Sequence, residues 1–364
     1  MIPQTLRAST RSRSPFGPIV LAAAAVLLSA APARAQGDVD LRLLRPSLTI
    51  TGIGVPEESF SDDDIDGDFK STNLQLLANI PLGPAHLKTG GGGLLGWQPM
   101  LTLGAGATDQ TFDLPAVDRE PRLYNGLLNA SLLLISSKPN LHYISVGASF
   151  AEDEDTVSNP DLRGSALYLG TYHKSDSAWT FVYGGAYSFV YGRGLLLPAF
   201  GFIWVPNPTW ALSGIVPFGW RLSQRVGGTT FLNYVLWVSG QRYGFNNDGV
   251  FSQCTGLTDS GCIPQNFRDD KVYERVREQH VGVELETGRG RPVSFLAQAG
   301  LAFARNMAFT PIETGHDKSI ESVPDSIVDE GIDPAPYLRL SFRFPLGKSL
   351  IDEARAKAKD VAQP

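Results

Sequence analysis

Gly91, Gly93 and Gly96 stand in the order G-x-G-x-x-G, which cradles a pyrophosphate when it opens a helix. Here Trp97-Gln98-Pro99 leads into another strand, so the glycines read as a flexible turn. Asp62, Asp64 and Asp66 before Gly67 match the first half of a calcium loop, with oxygen ligands at alternate positions and a glycine for the sharp bend. The twelfth position is Asn73 and not a bidentate Glu, so the segment offers Ca2+ or Mg2+ an incomplete site, and no other cofactor is implied. His142 and Ser145 are three apart and fall on opposite faces of a strand. His280 beside Glu278, and His316 in an acid-rich stretch, have no nucleophile placed with them by pattern, so no enzyme is predicted.

The other charged candidates lie on the polar side of alternating segments. In 337–344, Leu338, Leu340, Phe342 and Phe344 share one face and Arg339, Ser341 and Arg343 the other. In 44–52, Leu48 and Ile50 oppose Arg45, Ser47, Thr49 and Thr51, and further on Val281, Val283 and Leu285 oppose Glu284 and Glu286. Arg45, Glu284, Glu286, Arg339 and Arg343 are therefore candidates for lining a lumen. Two readings stand side by side. The arginines form a basic patch that steers anions, or the two glutamates neutralise them in a packed interior.

Residues 1–35 read as a signal peptide, with Arg7, Arg11 and Arg13 before an apolar core and Ala33-Arg34-Ala35 as the cleavage site. The leader carries four Arg and no acid, so the remainder holds 27 basic against 37 acidic side chains, formally −10. That balance argues against nucleic acid as a partner. Cys254 and Cys262, in an exported Gly/Asp/Asn-rich loop, read as one local disulfide. The most apolar stretch of that remainder, 195–206, contains Pro198 and is too short for a helix across lipid, where about 20 residues are needed. Strands of about 10 residues in a closed barrel are the remaining way across.

Period-two segments separated by turn residues number fourteen, ending with 336–345, with twelve as the alternative if Pro217 marks a kink within 209–225. The fold predicted is all-β, a single antiparallel transmembrane barrel over 36–346 in a bacterial outer membrane. Connections alternate between tight periplasmic turns and long acidic outer loops at 54–69, 152–161 and 308–334. Lipid and lipopolysaccharide are the expected surroundings, the acidic loops reaching lipopolysaccharide phosphates through divalent ions. Phe344 is the expected terminal aromatic read by the barrel-assembly machinery. Residues 347–364 form a polar periplasmic tail, helical or disordered. Oligomeric state is left open by the pattern.

Pro206-Asn207-Pro208-Thr209-Trp210 through Pro217, together with the final strand 337–344 closing on Pro345-Leu346, resembles an uncharacterised, domain-of-unknown-function family of bacterial outer-membrane barrels. That resemblance implies location and fold and brings no substrate or site residue. A looser likeness is to fourteen-strand barrels that take up fatty acids or aromatic compounds. Those carry an N-terminal plug, whereas here about eight residues precede the first strand. The expectation is a passive channel for small solutes. The alternatives are a structural or surface-interaction barrel with a filled lumen, and a channel for hydrophobic compounds.

Overall fold

The computed structural model describes residues 46–61, 67–90, 93–114, 117–136, 140–173, 177–190, 193–216, 219–247, 251–252, 262–263, 267–289, 291–313, 327–347 and 350. The leader, Arg45, Asp62, Asp64, Asp66, Gly91, Cys254, Pro217, His316 and the tail past Leu350 lie outside the described residues. Strands β1 (Ser47–Ser59), β2 (Asp68–Pro81), β3 (His86–Gly90), β4 (Gly93–Leu114), β5 (Val117–Arg119) and β6 (Arg122–Ile135) come first. They are followed by β7 (Leu141–Asp153), β8 (Arg163–His173), β9 (Trp179–Val190), β10 (Arg193–Asn207), β11 (Trp210–Val216) and β12 (Gly219–Arg225). The last five are β13 (Phe231–Asn246), β14 (Phe267–Thr287), β15 (Ser294–Glu313), β16 (Val328–Ile332) and β17 (Ala335–Pro345).

Fourteen of these strands make a closed antiparallel wall, and β3, β5 and β16 are short partners added at its ends. The ring closes where β17 meets β1, with Phe344 opposite Leu48 and Leu338 opposite Gly54. β11 and β12 pair antiparallel from Trp210 opposite Gln224 to Ile215 opposite Gly219, so the Pro217 region separates two strands and the count of twelve falls away.

The buried and exposed faces are inverted relative to a water-soluble protein. On β2, Asn73, Gln75 and Asn79 are buried, while Leu74 is 59% exposed. β17 buries Arg339 and Ser341 and leaves Leu338, Leu340 and Phe342 outside. An apolar outer face all around is stable against lipid, and a closed ring leaves no backbone edge unpaired there. The protein is an outer-membrane β-barrel; no helix among the described residues is long and apolar enough to cross a membrane. Trp179 packs against Phe202 and Trp204, ring centroids 5.2 and 5.6 Å apart, as part of an interfacial aromatic belt.

The acidic outer loops are shorter than the pattern suggests. β1 runs to Ser59, β7 to Asp153 and β15 to Glu313, and β16 pairs back on β15 from Val328 opposite Phe309. Polar residues remain in strand there because the ladder continues wherever a backbone partner stands alongside, whether or not lipid surrounds it.

Wall height is uneven around the barrel. β11 and β12 have seven residues each, against 16 in β13 and 21 in β14. β12 ends at Gly219, opposite Trp237, so β13 beyond that point has no β12 neighbour. It pairs instead with β7, Gly244 lying parallel to Glu152. Five strands of wall separate β7 from β13, so this contact pinches the upper bore. A Cβ on Gly244 would sit 1.9 Å from Glu152 Oε2, which is why the close approach needs glycine.

Candidate functional site

The middle of the bore is lined by amides and hydroxyls, among them Asn73, Thr102, Asn129, Ser145, Asn233 and Gln298, all buried. Glu284 Oε1 accepts hydrogen bonds from Arg221 Nη2 at 2.6 Å and from Asn233 Nδ2 at 2.7 Å. Arg221 was not singled out by pattern, although Trp220 outside and Ser223 inside mark it as inward on β12. Arg339 donates to Gln298 Oε1 at 3.5 Å and stands 5.9 Å from the Trp237 ring centroid. Arg343 is half-buried opposite Thr49, and Glu286 is bound at 2.6 Å to Arg289 in the adjoining turn. The structure therefore puts Arg221, not Arg339 or Arg343, on Glu284. Arg45, Asp62, Asp64, Asp66 and Cys254 lie outside the described residues, and Cys262 is half-buried beside buried Ile263.

Several buried polar atoms in this zone have no hydrogen-bond partner among the described residues: Asn73 Oδ1, Asn129 Oδ1, Asn233 Oδ1, Glu284 Oε2 and His280 Nδ1. Buried polar groups in folded proteins are almost always hydrogen-bonded, so these atoms call for water or a solute beside them.

His280 has neighbours that pattern did not bring to it. Trp237 stands directly opposite it, the rings stacked at 3.9 Å, and Ser239 stands opposite Glu278. Ser239 Oγ and Glu278 Oε2 approach the same imidazole nitrogen, Nε2, at 2.9 and 3.3 Å. A Ser–His–acid relay needs the acid on the other ring nitrogen, and Nδ1 has no hydrogen-bond partner among the described residues. Glu278 is also held at 2.9 Å by Arg305. Arg305 reaches it because β15 carries a register shift across from Arg277 and Gln279, with Ala304 at a φ of 47°. His142 is on the outer surface bonded to Tyr168, with Ser145 buried inside, so that pair is separated by the wall.

Above the polar belt an apolar plug fills the bore. Phe69, Phe112, Phe245, Phe251, Met307 and Phe309 pack there, with Phe245 and Phe309 centroids 5.4 Å apart. Tyr243 bonds across the bore to Thr108 at 3.1 Å. Outside this plug, Lys271 Nζ ties Glu152 at 2.6 Å to Asp161 at 2.9 Å, and Arg163 donates to the carbonyls of Arg242 and Ala151. Glu274 lies at the plug's level, beyond the outward apolar residues Val281, Val283 and Leu285, where the neighbouring outer surface carries the exposed Arg122–Asp109 pair. Burial, with the Asp153 charge adding to it, pushes the Glu274 carboxyl up to about 8.

Below the belt a second apolar cluster lies on the periplasmic part of the wall made by β4, β6 and β7. Leu350 is fully buried among Met100, Leu133, Ile135 and Tyr143, and its N–H donates to Gln98 Oε1 at 2.9 Å. A Cβ on Gly96 would lie 2.9 Å from Leu350 Cδ1 and 3.1 Å from the His86 carbonyl oxygen. The last glycine of the G-x-G-x-x-G run thus makes room for the returning chain. The tail, expected as an appendage, places at least Leu350 inside the barrel.

The chain matches no family model and no curated protein. Among solved structures it is similar to the β domain of the Bordetella autotransporter BrkA at 8% identity, covering 83% of this chain and all of that one, TM-score 0.33. The COG4313 outer-membrane channel from Pseudomonas putida F1 aligns at 9% identity over 86% of this chain and 98% of its own, TM-score 0.37. OccK7 (OpdD) of Pseudomonas aeruginosa aligns at 12% identity over 83% of this chain and 100% of its own, TM-score 0.27.

Proposed function

We propose that this protein is a passive outer-membrane channel for small polar solutes, closed at rest by an apolar seal at each end of a hydrated bore. The observation carrying this reading is the row of mid-bore polar atoms without protein partners, flanked by the Phe245–Phe309 plug above and the Leu350 cluster below. Unpartnered amide and carboxylate oxygens are costly in a packed interior and unremarkable beside water. Apolar constrictions in series with such a bore gate by excluding water. With Glu284 held by Arg221, that pair lends the lining no net charge. No catalytic step is part of this reading. Cys254 and Cys262 close a local disulfide in the outer loop.

Solute uptake by proteoliposomes tests it. Wild type is expected to swell slowly in small sugars, and Phe245→Asn combined with truncation after Gly347 to swell much faster. The filled-lumen alternative predicts no solute flux from any folded variant.

A further inference from the structure

Immediately under the apolar plug the bore holds a carboxylate that the channel reading does not use. Glu274 is fully buried, and neither of its side-chain oxygens has a hydrogen-bond partner among the described residues. It faces the bore, because Tyr243 stands directly opposite it on β13 and reaches inward to Thr108 at 3.1 Å and Asn125 at 3.4 Å. On its other side it is paired with Phe309 of the plug. Gln110 is near enough to favour its ionised form without the alignment of a hydrogen bond, and the Asp153 charge opposes that form. Asp153 is itself buried and accepts from the neutral N–H groups of Thr156 and Asn246, at 2.9 and 2.6 Å.

Three amide oxygens share the condition of Glu274. Gln110 Oε1, Asn73 Oδ1 and Asn125 Oδ1 are buried and accept no hydrogen bond among the described residues. Two of these amides are tied to the residue opposite Glu274. Asn125 Nδ2 donates to the Tyr243 hydroxyl, and Asn73 Nδ2 donates to Thr108 Oγ1, which is bonded to that same hydroxyl. Gly106, opposite Asn125, leaves its place to the amide, since a Cβ there would lie 2.8 Å from Asn125 Oδ1. Two carboxylate and three amide oxygens therefore stand in one zone of the bore, while the amide nitrogens of Asn73 and Asn125 are already used.

Such a set wants positive charge. A buried ionised carboxyl is costly unless paired, and water brings hydrogen bonds but no charge against Glu274 and Asp153. Ca2+ matches both the two negative charges and the ligand type, taking 6–8 oxygens from carboxylates and amide carbonyls in flexible geometry. Mg2+ fits less well, because it gives up its waters reluctantly and the zone under the plug is closely packed.

We propose that Glu274, with the side-chain oxygens of Gln110, Asn73 and Asn125, forms a Ca2+-binding site under the apolar plug, joining β14 to β2, β4 and β6 across the bore. Without the ion, the carboxyl holds a proton in its place. None of these residues belongs to the Asp62–Asp66 segment, and the site stands whether or not the bore conducts.

The test refolds the full-length mature protein into nanodiscs free of lipopolysaccharide, in chelator or in millimolar Ca2+, Mg2+ or Na+, above the pH at which Glu274 gives up its proton. Ca2+ is expected to raise the melting temperature by about 5 °C at saturation over chelator, with much smaller rises in Mg2+ and Na+. Glu274→Gln should remove the rise and, lacking the buried charge, unfold no earlier than wild type in chelator. Gln110→Leu keeps the carboxylate and should need about tenfold more Ca2+ to reach half the rise. A full rise in Glu274→Gln assigns the ion to the acidic outer loops and overturns the proposal. No rise in wild type, an equal rise with Mg2+ or Na+, or an unchanged Ca2+ requirement in Gln110→Leu overturns it as well.

Discussion

At the scale of single residues, the bore is organised by a buried ion pair that pattern could only half reveal. The alternation around Glu284 and around Arg339 placed both on the polar side of their strands, but which charge meets which depends on register across β12, β13 and β14. That register puts Arg221 on Glu284, with Asn233 sharing the same oxygen. Removing one member of a buried pair strands the other, a loss of about 3 to 5 kcal/mol. Arg221→Met should therefore lower the unfolding midpoint markedly, and Arg221→Met/Glu284→Leu should recover most of the loss; equal losses in both would mean that the pair is solvated.

Glu274 gives a second residue-scale expectation, in pH. Its folded value of about 8 exceeds the ordinary value of 4.5, so the native state holds the proton more tightly than the unfolded chain. Stability should be greatest below pH 4.5 and decline as pH rises toward 8, levelling once the native carboxyl also ionises. Glu274→Gln should flatten unfolding midpoints between about pH 5 and pH 8. An unchanged slope in the variant would assign the pH dependence to other groups.

At the scale of elements, β17 was legible almost residue by residue, since a strand with lipid on one side and polar neighbours on the other must alternate. The departure of β13 from β12 was not. Its own sequence alternates in the same way whichever strand lies beside it, and the crossing to β7 follows from the shortness of β11 and β12. Gly244 is the one local sign, a glycine whose missing Cβ leaves room for the Glu152 carboxylate and the Lys271 side chain beside the β7 bridge. Gly244→Val should force β13 and β7 apart and lower heat resistance on gels. A variant as heat-resistant as wild type would show that the pinch contributes little.

The register shift in β15 was equally hidden, because a one-residue slip leaves composition untouched. Ala304 sits in the left-handed region at φ 47°, where glycine is unstrained, so Ala304→Gly should stabilise the barrel by about 1 kcal/mol. Destabilisation by that change would show that the backbone there is relaxed.

For the whole molecule, the signs of a membrane barrel were strong in the sequence and the state of its bore was not. A closed ring, an apolar outside and a polar inside follow from alternation alone. Whether the ends are sealed depends on Phe69, Phe112, Phe245 and Phe309, contributed by four strands far apart in sequence, and on Leu350, in a tail whose composition reads as polar. Orientation is checked separately. An epitope inserted at Asp155, in the β7–β8 connection, should be labelled on intact cells, and one at Gly228, between β12 and β13, only after permeabilisation.

Single-channel recording in planar bilayers tests the sealed, hydrated bore most directly. Wild type should show rare, brief openings, truncation after Gly347 or Phe245→Asn alone should raise open probability modestly, and the two together should give a steadily conducting pore. If the folded double variant is as silent as wild type, the interior is packed from end to end and the channel account is wrong.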